Sequence, residues 1–162
     1  MPHEEKPAPR LPIIEQRRIE AAMLRQVYDV LVDSHGEEVA RRTIEEAVSR
    51  AAVAQGAAFR DELGRDPDLD DFAAILPLWT ANGALEIEVR HAAPDRLEFD
   101  VVRCRYAEMY RAMGLGDIGH LLSCNRDGRF CDGYNPAMAF RRTQTLMEGA
   151  DHCDFRYSLE KD

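Results

Sequence analysis

The side chains in this 162-residue sequence that could do more than pack are four cysteines, a few carboxylates and a set of arginines crowded into its last third. The densest polar run is Ser123-Cys124-Asn125-Arg126-Asp127, followed by Gly133-Tyr134-Asn135-Pro136. A thiol three residues ahead of a carboxylate reads as a nucleophile, Cys124, with an acid/base partner, Asp127. The same two residues also read as a buried small hydrophobe and a turn-former before Gly128. Cys104 stands between Arg103 and Arg105, whose guanidinium groups would lower a thiol pKa if they faced it. A strand-to-helix junction such as this one is equally a place for a packed cysteine. Cys153 follows His152, but strand alternation puts Asp151, Cys153 and Phe155 on one face and His152, Asp154 and Arg156 on the other. A Cys153–His152 dyad is therefore disfavoured, and a hairpin with Cys153 and Phe155 packed inward is the plainer alternative. Cys131 has no comparable surroundings. His120 lies four residues before Cys124 and could face it on a helix.

The arginines suggest the other half of a reaction site. Arg141 and Thr143 would share one face of a strand and Arg142 the opposite face, so one of these guanidiniums could hold a substrate carboxylate, or simply face solvent. Arg156 has the same standing. The Ile19, Met23, Val27 stripe and the region of Trp79 read as core rather than as a cofactor box.

Charge and spacing exclude several classes. Twenty-one basic side chains against 30 acidic ones give a net charge of −9, a poor basis for nonspecific binding to nucleic acid or to an anionic membrane. The excess lies in the first hundred residues, because residues 101–162 carry nine of each sign. The cysteines are 20, 7 and 22 positions apart, with no CxxC pair and no histidine at finger spacing. That argues against a zinc site and, with no export signal at the N-terminus, for reduced thiols in the cytoplasm. The longest uncharged stretch, 72–85, is 14 residues and contains Pro77 and Gly83, too short to span a bilayer. No cofactor or metal is expected.

These residues need elements to position them. Residues 1–12 hold four prolines and read as a flexible leader, ahead of one domain over 13–162 with a helical part at 13–80 and a sheet-and-site part at 84–160. Ile13, Ile14, Ile19, Met23, Val27, Val30 and Leu31 suggest one helix, ending near Gly36. A second runs from Val39 to Leu63, with an Ala-rich middle at 51–58 suited to close helix packing. A third starts in the acidic cluster near Asp68 and reaches Trp79. The period then changes to two: Leu85, Ile87, Val89 and Leu97, Phe99, Val101 flank a Pro94-Asp95 turn and predict a hairpin. A helix is predicted from Arg105 to Met113 and a further segment from Asp117 to Cys124. Residues 125–136, with two glycines and a proline, read as loop, and strands near 137–144 and 153–160 complete the sheet. The sum is α+β: N-terminal helices packed on a C-terminal antiparallel sheet with a helical insertion.

Read together, FDVVRCRYAEMYRAMG, LLSCNRD and GYNPAMAFRRTQTLMEGADHCDFRY resemble the L-2-amino-thiazoline-4-carboxylic acid hydrolase family across the C-terminal 60 or so residues. The closing glycine and Cys-x-Phe strand are also similar, less specifically, to the tail of 4-vinyl-reductase-type small-molecule-binding domains. The first resemblance implies a hydrolase that breaks a carbon–nitrogen bond in a small carboxylated ring, a cyclic amidine or isothiourea. It places the family's polar residues at Cys104, Cys124, Cys153, Asp127, Asn135, Arg141 and Thr143. On that reading Cys124 or Cys104 attacks, with Cys153 as a third candidate thiol. Asp127 protonates nitrogen or activates water, and Arg103, Tyr106, Tyr134, Asn135, Arg141 and Thr143 are the substrate-binding candidates. The expected partner is a small anionic heterocycle, and the chain could also form a homo-oligomer. The competing classes are a sensor-like module that binds a small effector without turnover, and a structural subunit assembling through its Ala-rich helix. The lack of an output segment favours the enzyme.

Overall fold

The 3.6-residue periodicity of the first half becomes two long antiparallel helices, and the twofold alternation of the second half becomes the strands of one sheet. The computed structural model describes residues 10–160, so most of the expected leader lies outside the described residues. Helix α1 spans Ile13–His35 and α2 Glu37–Leu63, joined through Gly36. Gly64 closes α2 in the left-handed conformation (φ 74°), which glycine adopts without steric cost. Short helices α3 (Leu69–Ile75) and α4 (Pro77–Thr80) follow. The acidic cluster before α3 is a reciprocal cap. The Asp68 carboxylate accepts from the backbone N–H of Asp71 at 2.9 Å, the Asp71 carboxylate accepts from that of Asp68 at 2.8 Å, and Arg65 forks onto Asp71 at 2.7 Å.

Strands β1 (Leu85–Ala93) and β2 (Arg96–Cys104) form the expected hairpin about Pro94-Asp95. Helix α5 is Arg105–Ala112, a π-helical turn covers His120–Cys124, α6 is Arg126–Tyr134, and β3 (Met138–Arg141) and β4 (Cys153–Leu159) end the fold. The sheet is antiparallel throughout in the order β1-β2-β4-β3. Register pairs Phe99 with Phe155 and Val101 with Cys153, so one sheet face carries an apolar row that packs under the helices. The Phe99 and Phe155 rings stack at 5.0 Å between centroids. On the other face buried Asp100 takes hydrogen bonds from Arg90 and Arg156, both at 2.8 Å. Burial alone would raise the Asp100 pKa, but these two guanidiniums outweigh it and hold the carboxyl below its ordinary range.

Three expectations are corrected. Residues 126–134 are helix, not loop. Gly133 serves packing rather than turning: a Cβ there would overlap the Val53 carbonyl of α2, and in return a Cβ on Gly56 of α2 would overlap the Phe130 carbonyl of α6. The backbones of α2 and α6 touch where the Ala-rich segment called for a close partner. The α1 stripe is not core, since Ile19, Met23 and Val30 are 62%, 66% and 64% exposed. The buried face of α1 is Ile13, Arg17, Ala21 and Tyr28, and the arginine among them obscured the pattern. Finally, β3 stops at Arg141, so Arg142 and Thr143 do not follow strand alternation.

Candidate functional site

Helices and sheet do not close completely on each other, and the gap is lined by many of the residues singled out above. It consists of two adjoining chambers that share Arg17, Trp79, Leu85, Arg126, Asp127 and Phe155. The second chamber is walled by Cys104 from the end of β2, Tyr106 from α5, Cys124 from the π-helical turn and Cys153 from β4. Three of the four cysteines and Asp127, up to 49 positions apart in the chain, thus line one space. All four cysteines are free thiols.

Asp127 enters the cavity from the first turn of α6. Asn125 ties that helix start to α2 through hydrogen bonds from its amide to the Glu45 carbonyl at 3.2 Å and to the Ser49 hydroxyl at 3.1 Å. Arg142 donates to the Asp127 carboxylate at 2.5 Å and to the Cys124 carbonyl at 3.1 Å, and lies 5.2 Å from the Phe155 ring centroid. Arg142 is turned inward by the turn after β3, where the Asp154 carboxylate accepts from the Thr143 N–H at 2.8 Å and the Gln144 N–H at 3.0 Å. Burial pushes the Asp127 carboxyl above its ordinary pKa, and Arg142, Arg17 and Arg126 recover only part of that shift. Its 29% residual accessibility faces the cavity it lines.

The thiols are shifted against nucleophilicity. Burial pushes Cys104 up to about 11, outweighing the hydrogen bond its sulfur accepts from the Ala107 N–H at 3.4 Å. Burial, then the Asp127 charge, raises Cys124 further still. Cys153 is also raised by burial, although its sulfur accepts from the Leu146 N–H at 3.1 Å. The thiolate is the reactive form, so none of the three is prepared for attack at neutral pH.

The other expected site residues lie elsewhere. Arg103 is exposed and paired with Glu108 at 2.9 Å and Glu86 at 3.4 Å. Arg141 is exposed at the end of β3, and Thr143 donates its hydroxyl to Asp154. Asn135 is buried in a structural role, its amide donating to the Pro67 carbonyl at 2.9 Å and its carbonyl oxygen accepting from Ala137. Tyr134 packs against Phe130 and Phe72, away from both chambers. Tyr106 lines the second chamber, but its hydroxyl donates to the Trp79 carbonyl at 3.1 Å. Cys131 is buried within α6, and His120 is half-buried on the π-helical turn. Trp79, expected as core, lines both chambers and meets the Phe130 ring edge-on at 5.4 Å.

The site also contains residues that sequence reading did not select. Arg17, 4% exposed, donates to both Glu20 oxygens at 3.1 Å and to the Gln55 carbonyl oxygen at 3.2 Å. Arg126 donates to Glu20 at 3.0 Å and to the Leu122 carbonyl at 3.0 Å. Its pKa falls to about 10 because it is buried and lies near Arg17. The signal for Arg17 was its place on the Ile13, Ala21, Tyr28 face of α1, where a charged side chain has no packing rationale. Among the described residues no set of histidines, cysteines and carboxylates could hold a metal ion, and no helix is long and apolar enough to cross a membrane.

The chain is thus an α+β domain with helices laid over one face of an antiparallel sheet and a charged, aromatic-walled cavity between the layers. Over residues 16–157 the chain matches the L-2-amino-thiazoline-4-carboxylic acid hydrolase family, and it belongs to that family. Among solved structures it is similar to the phenol-responsive sensory domain of the transcription activator PoxR, crystallised with phenol. The TM-score is 0.54 at 14% identity, over 88% of this chain and 74% of that one, which establishes a shared fold. No curated protein matches the chain.

Proposed function

We propose that the chain is a hydrolase that opens a small carboxylated heterocycle, a cyclic amidine or related ring, at a carbon–nitrogen bond. The observation that carries this reading is Asp127: a largely desolvated carboxyl with a raised pKa, held by Arg142 on the wall of the cavity between helices and sheet in a member of this hydrolase family. An amidine carbon becomes electrophilic when its ring nitrogen is protonated, and a carboxyl that retains its proton above the usual range is suited to supply it. Water then adds to that carbon. The attacking water returns one proton to the Asp127 carboxylate, leaving a tetrahedral carbon that bears a hydroxyl. Asp127 then protonates the ring nitrogen a second time, the carbon–nitrogen bond breaks with its electron pair on nitrogen to release the amine, and the hydroxyl becomes a carbonyl as its proton returns to the carboxylate, so the net change is one water added. The raised thiols support activated water over a covalent cysteine intermediate, leaving Cys104, Cys124 and Cys153 to shape the wall.

The experiment is mass spectrometry after incubation with 2-amino-thiazoline-4-carboxylate and related cyclic amidines and lactams. A product heavier by one water, formed by the native protein and lost in Asp127→Asn, supports the reading. Retention of full activity in Asp127→Asn overturns it. A second reading, a sensor-like domain that binds without turnover, draws on the apolar half of the cavity, where Phe72, Trp79, Phe99 and Phe130 form an aromatic wall. It predicts a ligand-induced rise in Tm with no mass change.

A further inference from the structure

Besides Asp127 and Arg142, the cavity contains a second charged group that the proposed chemistry does not use. Arg17 from α1 and Arg126 from α6 converge on the single carboxylate of Glu20, and Gln55 of α2 accepts from Arg17 beside them. Both guanidiniums are almost fully removed from bulk solvent, with 5% and 11% of their side chains accessible, and both line the two chambers. Three arginines face two carboxylates around this space, so the cavity holds a positive charge in excess inside a protein whose net charge is −9. Arg126 and Gln55 both line the first chamber, and among the described residues no acceptor meets Nη1 of Arg126 or the amide nitrogen of Gln55, so these donors are available to a ligand beside them. A buried charge without a full complement of counter-charge is costly, and a bound anion would remove that cost.

We infer that Arg17, Arg126 and Gln55 form an anion subsite that grips the carboxylate of the ligand and sets the rest of it against Asp127. Arg126 and Asp127 are consecutive, so the group that would hold the anion and the group that would deliver the proton are fixed by the same turn of α6. The ligand class is a compact monoanion, with a planar carboxylate attached directly to a ring carbon. A carboxylate can accept from the fork of one guanidinium and from a neighbouring N–H at once, which a neutral carboxamide cannot reproduce. Arg103 and Arg141, the sequence-level candidates for this role, lie outside the cavity.

This inference rests on the hydrolase reading for its ligand but is tested by binding, so the two can fail separately. The probes are 2-amino-thiazoline-4-carboxylate and its 4-carboxamide, with benzoate and benzamide as a non-hydrolysable pair, titrated into the full chain by calorimetry. The native protein is expected to bind each carboxylate at least about tenfold more tightly than its amide, the scale of a charge-assisted hydrogen bond. Arg126→Gln is expected to abolish that preference while leaving amide binding within about threefold, and Arg126→Lys to restore part of it. Gln55→Ala, at a half-buried position tolerant of truncation, is expected to reduce carboxylate affinity several-fold if Arg126→Gln does not fold. Carboxylate preference without turnover leaves the subsite standing and overturns the hydrolase reading. Equal affinity for acid and amide in the native protein, or an undiminished preference in both Arg126→Gln and Gln55→Ala, overturns the subsite.

Discussion

Replacing Asp127 with Asn separates the two forces acting on that carboxyl. Burial favours the neutral acid, whereas Arg142 at 2.5 Å favours the carboxylate, and burial prevails, so the folded pKa lies above the ordinary value of 3.8. A group whose pKa is raised by folding stabilises the fold fully below its unfolded pKa and loses that contribution as pH climbs through its folded pKa. Asparagine keeps the shape of the neutral acid and cannot titrate. The stability of the native protein relative to Asp127→Asn is therefore flat in strong acid. Above pH 3.8 it falls by about 1.4 kcal/mol per pH unit, then levels off once the folded carboxyl has ionised. At about 2–4 °C per kcal/mol for a chain of this size, that is a loss of some 3–6 °C in relative Tm per pH unit across the window. Asp71, Asp100, Glu108 and Asp154, whose pKa values are lowered, tilt the absolute curve the opposite way but cancel in the difference. The assay is differential scanning calorimetry of both proteins from pH 3 upward, paired with kcat. Turnover is expected to fall about 10²–10⁴-fold in the variant. A relative stability that rises with pH would show that Arg142 outweighs burial, and the account of Asp127 as a proton donor would fail.

The thiols and the packing give three further tests. Cys104→Ala and Cys124→Ala, made singly, are expected to keep kcat within about threefold, because neither sulfur is poised as a thiolate; a loss of 10³-fold in either would reinstate covalent catalysis. Gly133→Ala is expected to cost about 3 kcal/mol or more, since its Cβ would overlap the Val53 carbonyl, and to reduce activity with stability because α6 carries Arg126 and Asp127. A Tm within 2 °C of native would show that α2 and α6 can separate cheaply. Arg103→Ala and Arg141→Ala are expected to leave kcat/KM unchanged, which steady-state kinetics on the carboxylate substrate would check.

Strands β2 and β4 were legible because each buries one apolar face: Leu97, Phe99 and Val101 alternate with other residues, mostly charged, and so do Cys153, Phe155 and Tyr157. The capped start of α3 was legible for the same kind of local reason. Helix α6 was not. Glycine signals a turn when considered residue by residue, whereas Gly133 is there because Val53, 80 positions earlier, lies against it. No local rule contains that contact. The misread α1 stripe has a related cause: the helix has apolar residues on two sides, and the side facing the interior is the one interrupted by Arg17. Residues of the site that sit in local runs, such as Cys124 and Asp127, could be found from the sequence. Arg126 stands in that same run but its role does not show there, because it depends on Arg17 and Gln55, which the fold brings beside it from α1 and α2.

Arg17 also changes what the net charge means. An interior that only had to be filled would place an aliphatic residue beside Ile13 and Ala21, since a packed hydrophobe at such a site is commonly as stabilising as a buried ion pair or more so. Here the chain places two guanidiniums against one carboxylate, and desolvation lowers one of them to about 10. The acidic excess of the sequence lies in the first hundred residues, while Arg126 and Arg142 bring positive charge into the cavity from the balanced last third. A surface of one sign around a cavity of the other makes the interior a selective place for a small anion that can shed its water. The same field would hold the anion's neutral, reactive end against the one carboxyl that keeps its proton. Selection by charge and activation by protonation would thus come from two adjacent residues, Arg126 and Asp127, fixed by a single helix start.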